Sequence, residues 1–458
     1  MLYFTSCNPR NYWTMIKKIF AHLLCLLLLV GSAHAATQEE IQKLKITAAQ
    51  GDAKAQVDLG LMYQSGNEVS QDYTEAIKWY RLAAEQGDGK GQVQLGVMYD
   101  FGRGVVQNYT EAVKWYRLAA EQGDEWGQFN LGKMYQNGNG VKQNYAEAVK
   151  WYRLAAAKED VYAQNNLGVM YEKGKGISQD YAEAIKWYRL AAEQGYAQAQ
   201  INLGKMYDNG GQDYTEAVKW YRLAAEQGDE RGQVQLGAMY NFGRGVVQNY
   251  AEAVKWYRLA AAQGSTWAQY SLGLMYQYGN GVVQDYAEAG KWYQLAAEQG
   301  YALAQYNLGV MYSFRKDYIE SVKWLSLAAE QGVAAAQGLL GAMYYEGLGV
   351  RRDYTEAIKW YHLAAKQGYA MAQNSLGGMY YEGLGVRQNH AEAIKWYRLA
   401  AAQGNALAQY NLGACYSNGQ GVKLNKAIAK EWFGKACDNG DQEACDEYRK
   451  LNIPAKRR

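Results

Sequence analysis

Few residues in this chain carry side chains that could act as a nucleophile, a general base or a metal ligand. Among 458 residues there are four histidines and five cysteines, and two of each fall within the first 35 positions. The remainder are His362, His390, Cys415, Cys437 and Cys445. Histidine catalysis needs a base beside a nucleophile, and a histidine metal centre needs several imidazoles together. These numbers argue against both, and we expect no metal and no cofactor.

Two short motifs resemble catalytic or nucleotide-binding signatures but lack their partners. Residues 313–316 (Ser-Phe-Arg-Lys) match the S-x-x-K of serine β-lactamases, but neither S-D-N nor K-T-G follows. Residues 138–140 (Gly-Asn-Gly) lack the lysine and the following helix of a phosphate-binding loop. Because no nucleophile is paired with a base, we expect that the chain is not an enzyme.

A recurring amide offers a different chemistry, hydrogen bonding to the main chain of a peptide. The position immediately before each recurring Leu-Gly pair holds Asp58, Gln94, Asn130, Asn166, Asn202, Gln235, Ser271, Asn307, Leu339, Ser375 and Asn411. On a helix this position borders the apolar face, and Asn and Gln can both donate and accept hydrogen bonds. We predict that Asn130, Asn166, Asn202, Asn307 and Asn411 hold an extended peptide partner. The alternative is that these amides bridge adjacent helices and bind nothing.

A few aromatic residues lie at a loop position that varies along the chain. They are Phe101, Phe242, Tyr278 and Phe314. Variable aromatics suit an anchor for a partner better than invariant ones do, because anchoring residues are specific to the partner. We predict that these four contact the partner; the alternative is that they only cover the loop.

These candidates are carried by a repeat of about 36 residues. Leu-Gly recurs at Leu59, Leu95, Leu131, Leu167, Leu203, Leu236, Leu272, Leu308, Leu340, Leu376 and Leu412, with steps of 36, 36, 36, 36, 33, 36, 36, 32, 36 and 36. A Met-Tyr pair follows each leucine, with Cys415 replacing methionine in the last repeat, and tryptophan stands twenty positions after the leucine in full-length repeats. Eleven repeats fill residues 52–446 and leave no room for a separate catalytic domain.

Each repeat predicts two antiparallel helices. In the first, Ala55, Leu59, Met62 and Tyr63 share one face, Gly66 ends the helix, and Gly60 indicates close approach of a neighbouring backbone. The second begins at Asp72 with Glu75 three residues later, which predicts a reciprocal cap. Its inward stripe is Ala76, Ile77, Tyr80, Ala83 and Ala84, and Gly87 ends it. The repeated tyrosines and tryptophans are predicted to pack in the core rather than to form a ligand-stacking array.

One such hairpin cannot cover its own apolar faces, so neighbouring repeats must stack. The pattern A-x-A-Q-x-x-L-G-x-M-Y, a Gly-rich loop, and D-Y-x-E-A-x-K-W-Y-x-x-A-A-x-Q-G resembles the Sel1-like repeat, a relative of the tetratricopeptide repeat. The resemblance covers all eleven repeats. It implies an all-α fold, a right-handed α-solenoid of helix-turn-helix repeats that serves as an adaptor for protein partners. Bacterial members are often exported and act in envelope assembly, signalling or contact with host cells.

The last repeat departs from the pattern and carries Cys437 and Cys445, eight residues apart. Some secreted, cysteine-rich Sel1-like proteins use this spacing to join the second helix of one repeat to the first helix of the next. The resemblance therefore implies a Cys437–Cys445 disulfide, which an oxidising compartment would preserve. Two buried or free thiols are the alternative, and Cys415 is expected to be such a thiol.

Three further departures lie elsewhere. The fifth repeat loses three residues and the eighth loses four, both between helices, so we expect the stacked faces to be undisturbed. In the third repeat Glu159 replaces the glycine that ends the second helix, and we expect a local change in curvature there.

The beginning of the chain has the pattern of a secretory signal peptide. Lys17 and Lys18 precede an apolar run over 19–30, and Ala33-His34-Ala35 supplies a cleavage site, so residues 1–35 are predicted to be removed. The true start is then Met15 or Met1, and an uncleaved anchor is the alternative. A lead-in helix over 36–51 and a basic tail over 447–458 complete the predicted organisation.

The charge balance excludes one class of partner. Lys and Arg number 48 against 45 for Asp and Glu, a net charge of +3, so no basic field is available for nucleic acid. We expect a periplasmic or secreted scaffold that binds a protein or peptide, with no stable membrane insertion after signal cleavage. The alternatives are a wall protein that binds peptidoglycan or penicillin, with weak β-lactamase-like activity, and a secreted factor acting on host proteins.

Overall fold

The computed structural model describes residues 38–211 and 213–452, and every regular element in these residues is a helix. The elements are α1 (38–49), α2 (Ala53–Ser65), α3 (Tyr73–Glu85), α4 (Gly89–Phe101), α5 (Tyr109–Glu121), α6 (Glu125–Asn137), α7 (Tyr145–Ala156), α8 (Val161–Lys173), α9 (Tyr181–Glu193), α10 (Ala197–Lys205), a π-helix (Met206–Gly211), α11 (Tyr214–Glu226), α12 (Glu230–Phe242), α13 (Tyr250–Ala262), α14 (Thr266–Tyr278), α15 (Tyr286–Glu298), α16 (Ala302–Phe314), α17 (Tyr318–Glu330), α18 (Ala334–Glu346), α19 (Tyr354–Lys366), α20 (Ala370–Glu382), α21 (His390–Ala402), α22 (Ala406–Asn418), α23 (Lys426–Asp438) and α24 (Gln442–Asn452). The predicted all-α solenoid of helix pairs is confirmed. The predicted signal peptide, residues 1–35, and residues 453–458 of the predicted tail lie outside the described residues.

The described residues form two compact halves, one that ends at Ala224 and one that begins at Ala225. The N-terminal half holds α1 to α10 and most of α11, and the C-terminal half holds the rest. In each half, helices that are adjacent in sequence pack against each other. The even-numbered helices α2 to α22 are the first helices of the eleven repeats, and the odd-numbered helices α3 to α23 are the second helices.

The second helices supply most of the core through small residues and one tyrosine. In α3 the buried residues are Ala76, Ile77, Tyr80, Ala83 and Ala84, which is the predicted stripe. The tyrosines at the Tyr80 position are at most 1% exposed in the first seven repeats, so the prediction that these aromatics form the core is confirmed for them. Alanine on both sides of the ring lets adjacent helices approach closely enough to enclose it.

In nine of the eleven repeats the glycine of the Leu-Gly pair lies against this tyrosine ring, and in the eighth and eleventh repeats it lies against Leu325 and Phe433. A Cβ atom at Gly60 would lie 2.5 Å from Cε1 of Tyr80, and one at Gly132 would lie 2.8 Å from Cδ1 of Tyr152. The prediction that a neighbouring backbone requires this glycine is wrong, because the aromatic ring of the same repeat already fills the space.

The caps of the second helices use only half of the predicted reciprocal arrangement. Asp72 accepts hydrogen bonds from the N–H groups of Thr74 and Glu75. The Asp72 N–H donates to the Tyr63 carbonyl at 2.8 Å, so it does not need the Glu75 carboxylate, which forms an ion pair with Lys78. The reciprocal part of the prediction is therefore wrong, because the Gly-rich loop brings a backbone acceptor to the cap.

Buried glutamines connect consecutive repeats. Gln56 donates from Nε2 to the Ala48 carbonyl at 3.0 Å and accepts from Gln86 Nε2 at 2.8 Å. The same pattern recurs, and the glutamines at the Gln56 position are 2–4% exposed: Gln56, Gln92, Gln128, Gln164, Gln200, Gln233, Gln269, Gln305, Gln337, Gln373 and Gln409. Each amide satisfies a polar group inside the stack, where an unpaired one would be costly.

The third repeat is an exception to this network. Lys158 replaces the second glutamine and donates to the Gly123 carbonyl instead, which leaves Gln128 Oε1 buried without a hydrogen-bond partner. The next residue, Glu159, takes the left-handed conformation with φ of 67°, where other repeats place glycine. The predicted change of curvature here remains a prediction.

The shortened fifth repeat alters the end of its first helix, and the expectation that the stacked faces are undisturbed remains a prediction. This repeat lacks the left-handed glycine that ends other first helices, such as Gly66 with φ of 76°. The chain winds instead through the π-helix Met206–Gly211, and the Asp213 N–H then reaches the Tyr207 carbonyl at 3.0 Å. The wider turn of the π-helix places Asp213, the cap residue of α11, beside the Tyr207 carbonyl although the repeat is three residues shorter. The tyrosine of the Met-Tyr pair supplies the same acceptor in the first repeat, where it is Tyr63.

A disulfide joins α23 to α24 at the end of the C-terminal half. The Cα atoms of Cys437 and Cys445 are 4.7 Å apart, and their sulfur atoms are bonded. Helix α24 includes residues 447–452, the start of the predicted tail, because Tyr448 and Leu451 pack on the cluster around Phe433. Cys415 is a buried free thiol.

Candidate partner-binding surface

One face of the first helices is not covered by the second helices. It is formed by the residues five before, one before, two after and six after the leucine of each Leu-Gly pair, a spacing that places them along one side of a helix. In α8 these are Tyr162, Asn166, Val169 and Lys173. We call this face the first-helix stripe. Its outer positions are mostly exposed, and its two middle positions are mostly half-buried.

The predicted amides lie in the middle of the stripe and already make hydrogen bonds. Asn202 Nδ2 donates to Asn165 Oδ1 at 2.9 Å, and Asn165 Nδ2 lies 3.4 Å from Asn166 Oδ1. Asn130 is 8% exposed and donates to the Trp126 carbonyl at 2.9 Å. Bridging between repeats, the alternative role, thus describes part of what these amides do, and partner binding remains a prediction.

The same pattern occurs in the C-terminal half. Asn411 Nδ2 donates to Asn374 Oδ1 at 3.0 Å across 37 residues. Asn165 and Asn374, each one position before the predicted amide site, were missed in the sequence. An amide at two successive positions, as in Asn165-Asn166, was the available signal.

The four predicted loop aromatics are exposed at the end of the stripe. Phe101, Phe242, Tyr278 and Phe314 are 55%, 60%, 63% and 85% exposed. Arg103 and Lys133 lie 5.2 and 5.7 Å from the ring centroid of Phe101, so cations cover part of that ring.

The structure brings two of the predicted residues together. Asn307 and Phe314 line one groove of about 440 Å³, together with Tyr286, Val310 and Met311. Asn307 is half-buried in the middle of the stripe, and Phe314, at the end of the stripe, is exposed. Burial raises the pKa of Tyr270, and a hydrogen bond with Asn307 opposes that shift.

An aromatic cluster on α6 and α8 was missed in the sequence. Trp126 and Tyr162, five positions before their leucines, are 45% and 38% exposed, with ring centroids 5.6 Å apart. Tyr162 also lies 5.7 Å from Phe129 and 5.0 Å from Tyr196. Three repeats have an aromatic residue at this position, Trp126, Tyr162 or Trp267, whereas the first two repeats have Lys54 and Lys90. This difference between repeats was the available signal.

Two buried titratable residues, Asp100 and Cys415, lie on first helices next to stripe positions. Burial raises the pKa of Asp100, opposed by the nearby Lys133 charge and by the Tyr116 hydroxyl, which lies 3.4 Å from its carboxylate. Burial raises the pKa of the Cys415 thiol to about 11, so it is protonated at neutral pH. These groups can donate and accept hydrogen bonds, but a protonated thiol is a poor nucleophile.

The remaining chemistry-bearing residues are dispersed. Burial lowers the pKa of His362, and the positive charge of Lys366 lowers it further. His390 stacks on Tyr381, with the two ring centroids 4.8 Å apart. The described part of the chain contains no group of three or more His, Cys, Asp or Glu side chains placed to hold a metal ion. None of the helices in residues 38–211 and 213–452 is long and apolar enough to cross a membrane.

Comparison with known proteins identifies the repeat. The family model described as Sel1 repeat matches eleven consecutive segments: 53–88, 89–124, 127–160, 161–196, 197–229, 231–265, 268–301, 302–333, 334–369, 370–405 and 406–441. The predicted resemblance and the number of repeats are confirmed.

Two bacterial proteins of known structure are similar to most of the chain. The crystal structure of a protective antigen present in uropathogenic Escherichia coli strains, described as displaying an SLR fold, is 38% identical, with 91% of each chain covered and a TM-score of 0.78. A Sel1 repeat protein from Oxalobacter formigenes is 32% identical over 74% of this chain and 89% of that chain, with a TM-score of 0.44.

A shorter match involves a protein with a described binding activity. The secretory immunoglobulin A-binding protein EsiB of Escherichia coli O6:H1 is 40% identical over 66 residues. The matched segment spans 14% of this chain and 14% of that protein.

Proposed function

The chain belongs to the Sel1 repeat family, and from that premise we propose that it is an exported scaffold protein that holds a protein or peptide partner. Sel1 repeats generally mediate protein–protein interactions, and proteins of this family are generally not catalytic. The mechanism is binding alone, and the first-helix stripe is the binding surface.

The observation that carries this proposal is the exposure of large aromatic rings on the stripe beside amide groups. Trp126 and Tyr162 present a joined apolar surface, and Asn130 and Asn166 lie one helical turn further along. Exposed Trp and Tyr residues in contact with one another are the side chains that most often dominate binding energy at interfaces. The half-buried Asn166 and the more deeply buried Asn130 supply orientation, because a peptide main chain offers matching donors and acceptors.

Three features support export to the periplasm or beyond the cell. The charged and apolar pattern of residues 17–35 is that of a signal peptide. The Cys437–Cys445 disulfide is suited to an oxidising compartment. The description of the full-length relative as a protective antigen also fits a protein exposed outside the cytoplasm.

The test is affinity capture with a chain that begins at Ala36, using fractionated cells and medium of the source organism, followed by mass spectrometry. We expect one or two proteins to be retained repeatedly. Replacement of Trp126 and Tyr162 by Ala should reduce retention about tenfold or more.

The matched control replaces exposed leucines on the second helices of the same two repeats. Leu154 and Leu190 are 44% and 38% exposed, close to the values for Trp126 and Tyr162, and lie off the stripe. The Leu154→Ala, Leu190→Ala variant should retain the partner. Recovery of wall fragments without any protein would contradict the scaffold proposal, and equal loss in both variants would contradict the choice of surface.

A further inference from the structure

The last three repeats enclose a cavity of about 510 Å³ on the first-helix stripe of the C-terminal half. Its walls come from α18, α20 and α22, with tyrosines from α19 and α21 at its base. The lining combines tyrosines, carboxylates and amides, and the residues used below are Tyr345, Glu346, Tyr381, Glu382, Asn374 and Asn411.

Two small residues line the cavity at a position where most other repeats have larger ones. Two positions after the leucine, the tenth and eleventh repeats have Gly378 and Ala414, whereas most other repeats have Leu, Val or Lys, as in Leu61 and Val169. A Cβ atom at Gly378 would lie 3.7 Å from the Tyr397 hydroxyl, with no other heavy atom named within 4 Å. A Cβ atom therefore fits at this position, which lines the cavity.

The formal charge of the lining is negative. Glu346 and Glu382 occupy the same position in successive repeats, and the residues that line the cavity include no Lys or Arg. Neither carboxylate forms an ion pair in the described residues; Arg352 donates to the backbone carbonyl of Glu346 at 3.4 Å. The sequence Met-Tyr-Tyr-Glu-Gly-Leu-Gly-Val occurs at 343–350 and again at 379–386, so the pair is built by duplication.

The tyrosines add a second attraction for a cation. Tyr345 and Tyr381 stand beside the two glutamates, and Tyr361 and Tyr397 lie deeper. Burial raises the pKa of Tyr361 to about 12, so the ring stays neutral at physiological pH. The faces of neutral phenol rings carry negative potential and attract ammonium and guanidinium groups.

An amide pair spans the same wall. Asn411 Nδ2 donates to Asn374 Oδ1 at 3.0 Å, and no hydrogen bond among the described residues uses Asn374 Nδ2 or Asn411 Oδ1. One donor and one acceptor are thus available to a peptide main chain next to the anionic, tyrosine-lined cavity.

We infer that this cavity binds the basic side chain of an arginine or lysine in an extended segment of the protein partner, between Tyr345 and Tyr381 and against Glu346 and Glu382. The inference rests on the proposed scaffold function and specifies the chemistry of the partner. The Asn374–Asn411 pair holds the main chain of the segment.

The test measures fluorescence anisotropy of a labelled heptapeptide, Gly-Ser-Gly-Arg-Gly-Ser-Gly, with the chain beginning at Ala36. We expect this peptide to bind about tenfold more tightly than the same peptide with Gln in place of Arg. Added salt should weaken the binding of the Arg peptide. Glu346→Gln with Glu382→Gln should abolish that preference. Gly378→Leu should reduce binding of both peptides by filling the cavity.

The matched control is Glu226→Gln with Glu330→Gln, which removes the same charge from exposed positions at the ends of second helices. It should leave the Arg preference unchanged. Equal affinity for the two peptides, no saturable binding of either, an Arg preference that persists in the Glu346/Glu382 variant, or undiminished binding of both peptides by the Gly378→Leu variant would overturn the inference. If those variants still retain the captured protein partner, the scaffold function stands and only this assignment of the cavity fails.

Discussion

Gln122 Nε2 donates to Gln92 Oε1 at 2.8 Å, although 30 residues separate them, and Gln92 Nε2 donates in turn to the Ala84 carbonyl at 3.2 Å. Gln92 is buried, and these two successive hydrogen bonds link three successive helices directly. The hydrogen bond between two glutamines 30 residues apart recurs in both halves. It is missing at Gln128, because the residue 30 positions later is Lys158.

Restoring that link should stabilise the protein. In Lys158→Gln the new amide can donate both to Gln128 Oε1 and to the Gly123 carbonyl, as Gln263 does to Gln233 and to the Gly228 carbonyl at 2.9 and 3.0 Å. We expect a gain of about 1 kcal/mol in the free energy of unfolding, measured by urea denaturation. The reverse change, Gln194→Lys, should cost a similar amount, and a loss of stability in Lys158→Gln would contradict the role assigned to the network.

Glycine at position 159 should also be stabilising. Glu159 has a φ of 67°, a conformation that costs an L-residue about 1 kcal/mol relative to glycine. Glu159→Gly should therefore raise the melting temperature, whereas Glu159→Ala should not. Equal gains in both variants would point to charge removal rather than backbone strain.

The glycines of the Leu-Gly pairs should tolerate no side chain. In Gly132→Ala the new methyl group would meet the Tyr152 ring at 2.8 Å, and we expect a loss of about 1 to 3 kcal/mol in unfolding free energy. The control is Gly378→Ala, where the nearest atom is 3.7 Å away and helix propensity predicts a gain of up to about 1 kcal/mol. Similar behaviour of the two variants in calorimetry would show that ring contact does not decide the cost.

The predicted amides can be tested directly for partner binding. Asn130→Ala with Asn166→Ala removes two of them in adjacent repeats, and we expect retention of the captured partner to fall about tenfold. Circular dichroism melting identifies any loss of fold. Unchanged retention by a folded variant would show that the amides of these two repeats only bridge helices.

A thiol count tests the disulfide. The chain beginning at Ala36 contains Cys415, Cys437 and Cys445, so protein from the periplasm, unfolded without reductant, should show one free thiol, and three after reduction. In the folded state Cys415 should react slowly with iodoacetamide, and faster as pH rises towards its raised pKa of about 11, because only the thiolate is reactive. Three thiols before reduction would exclude the Cys437–Cys445 bond.

The sequence alone determined the repeat, the helix pairs and much of the core. The stripe Ala76, Ile77, Tyr80, Ala83 and Ala84 follows from the helical period, which is a local property of the chain. The end of α3 at Gly87, with φ of 94°, follows from glycine's access to the left-handed conformation. Such features need no knowledge of distant residues.

The tertiary structure decided which side chains meet between repeats. The sequence did not indicate that Gly60 faces Tyr80, that Asn202 bonds to Asn165, or that Gly378 opens a cavity beside Glu346 and Glu382. Most of these contacts join residues 20 to 37 positions apart, and they depend on how far one helix shifts and turns against the next. Repetition fixes which residues face the next repeat. The distances between stacked helices then decide which side chains touch each other, and therefore which surface remains available for binding.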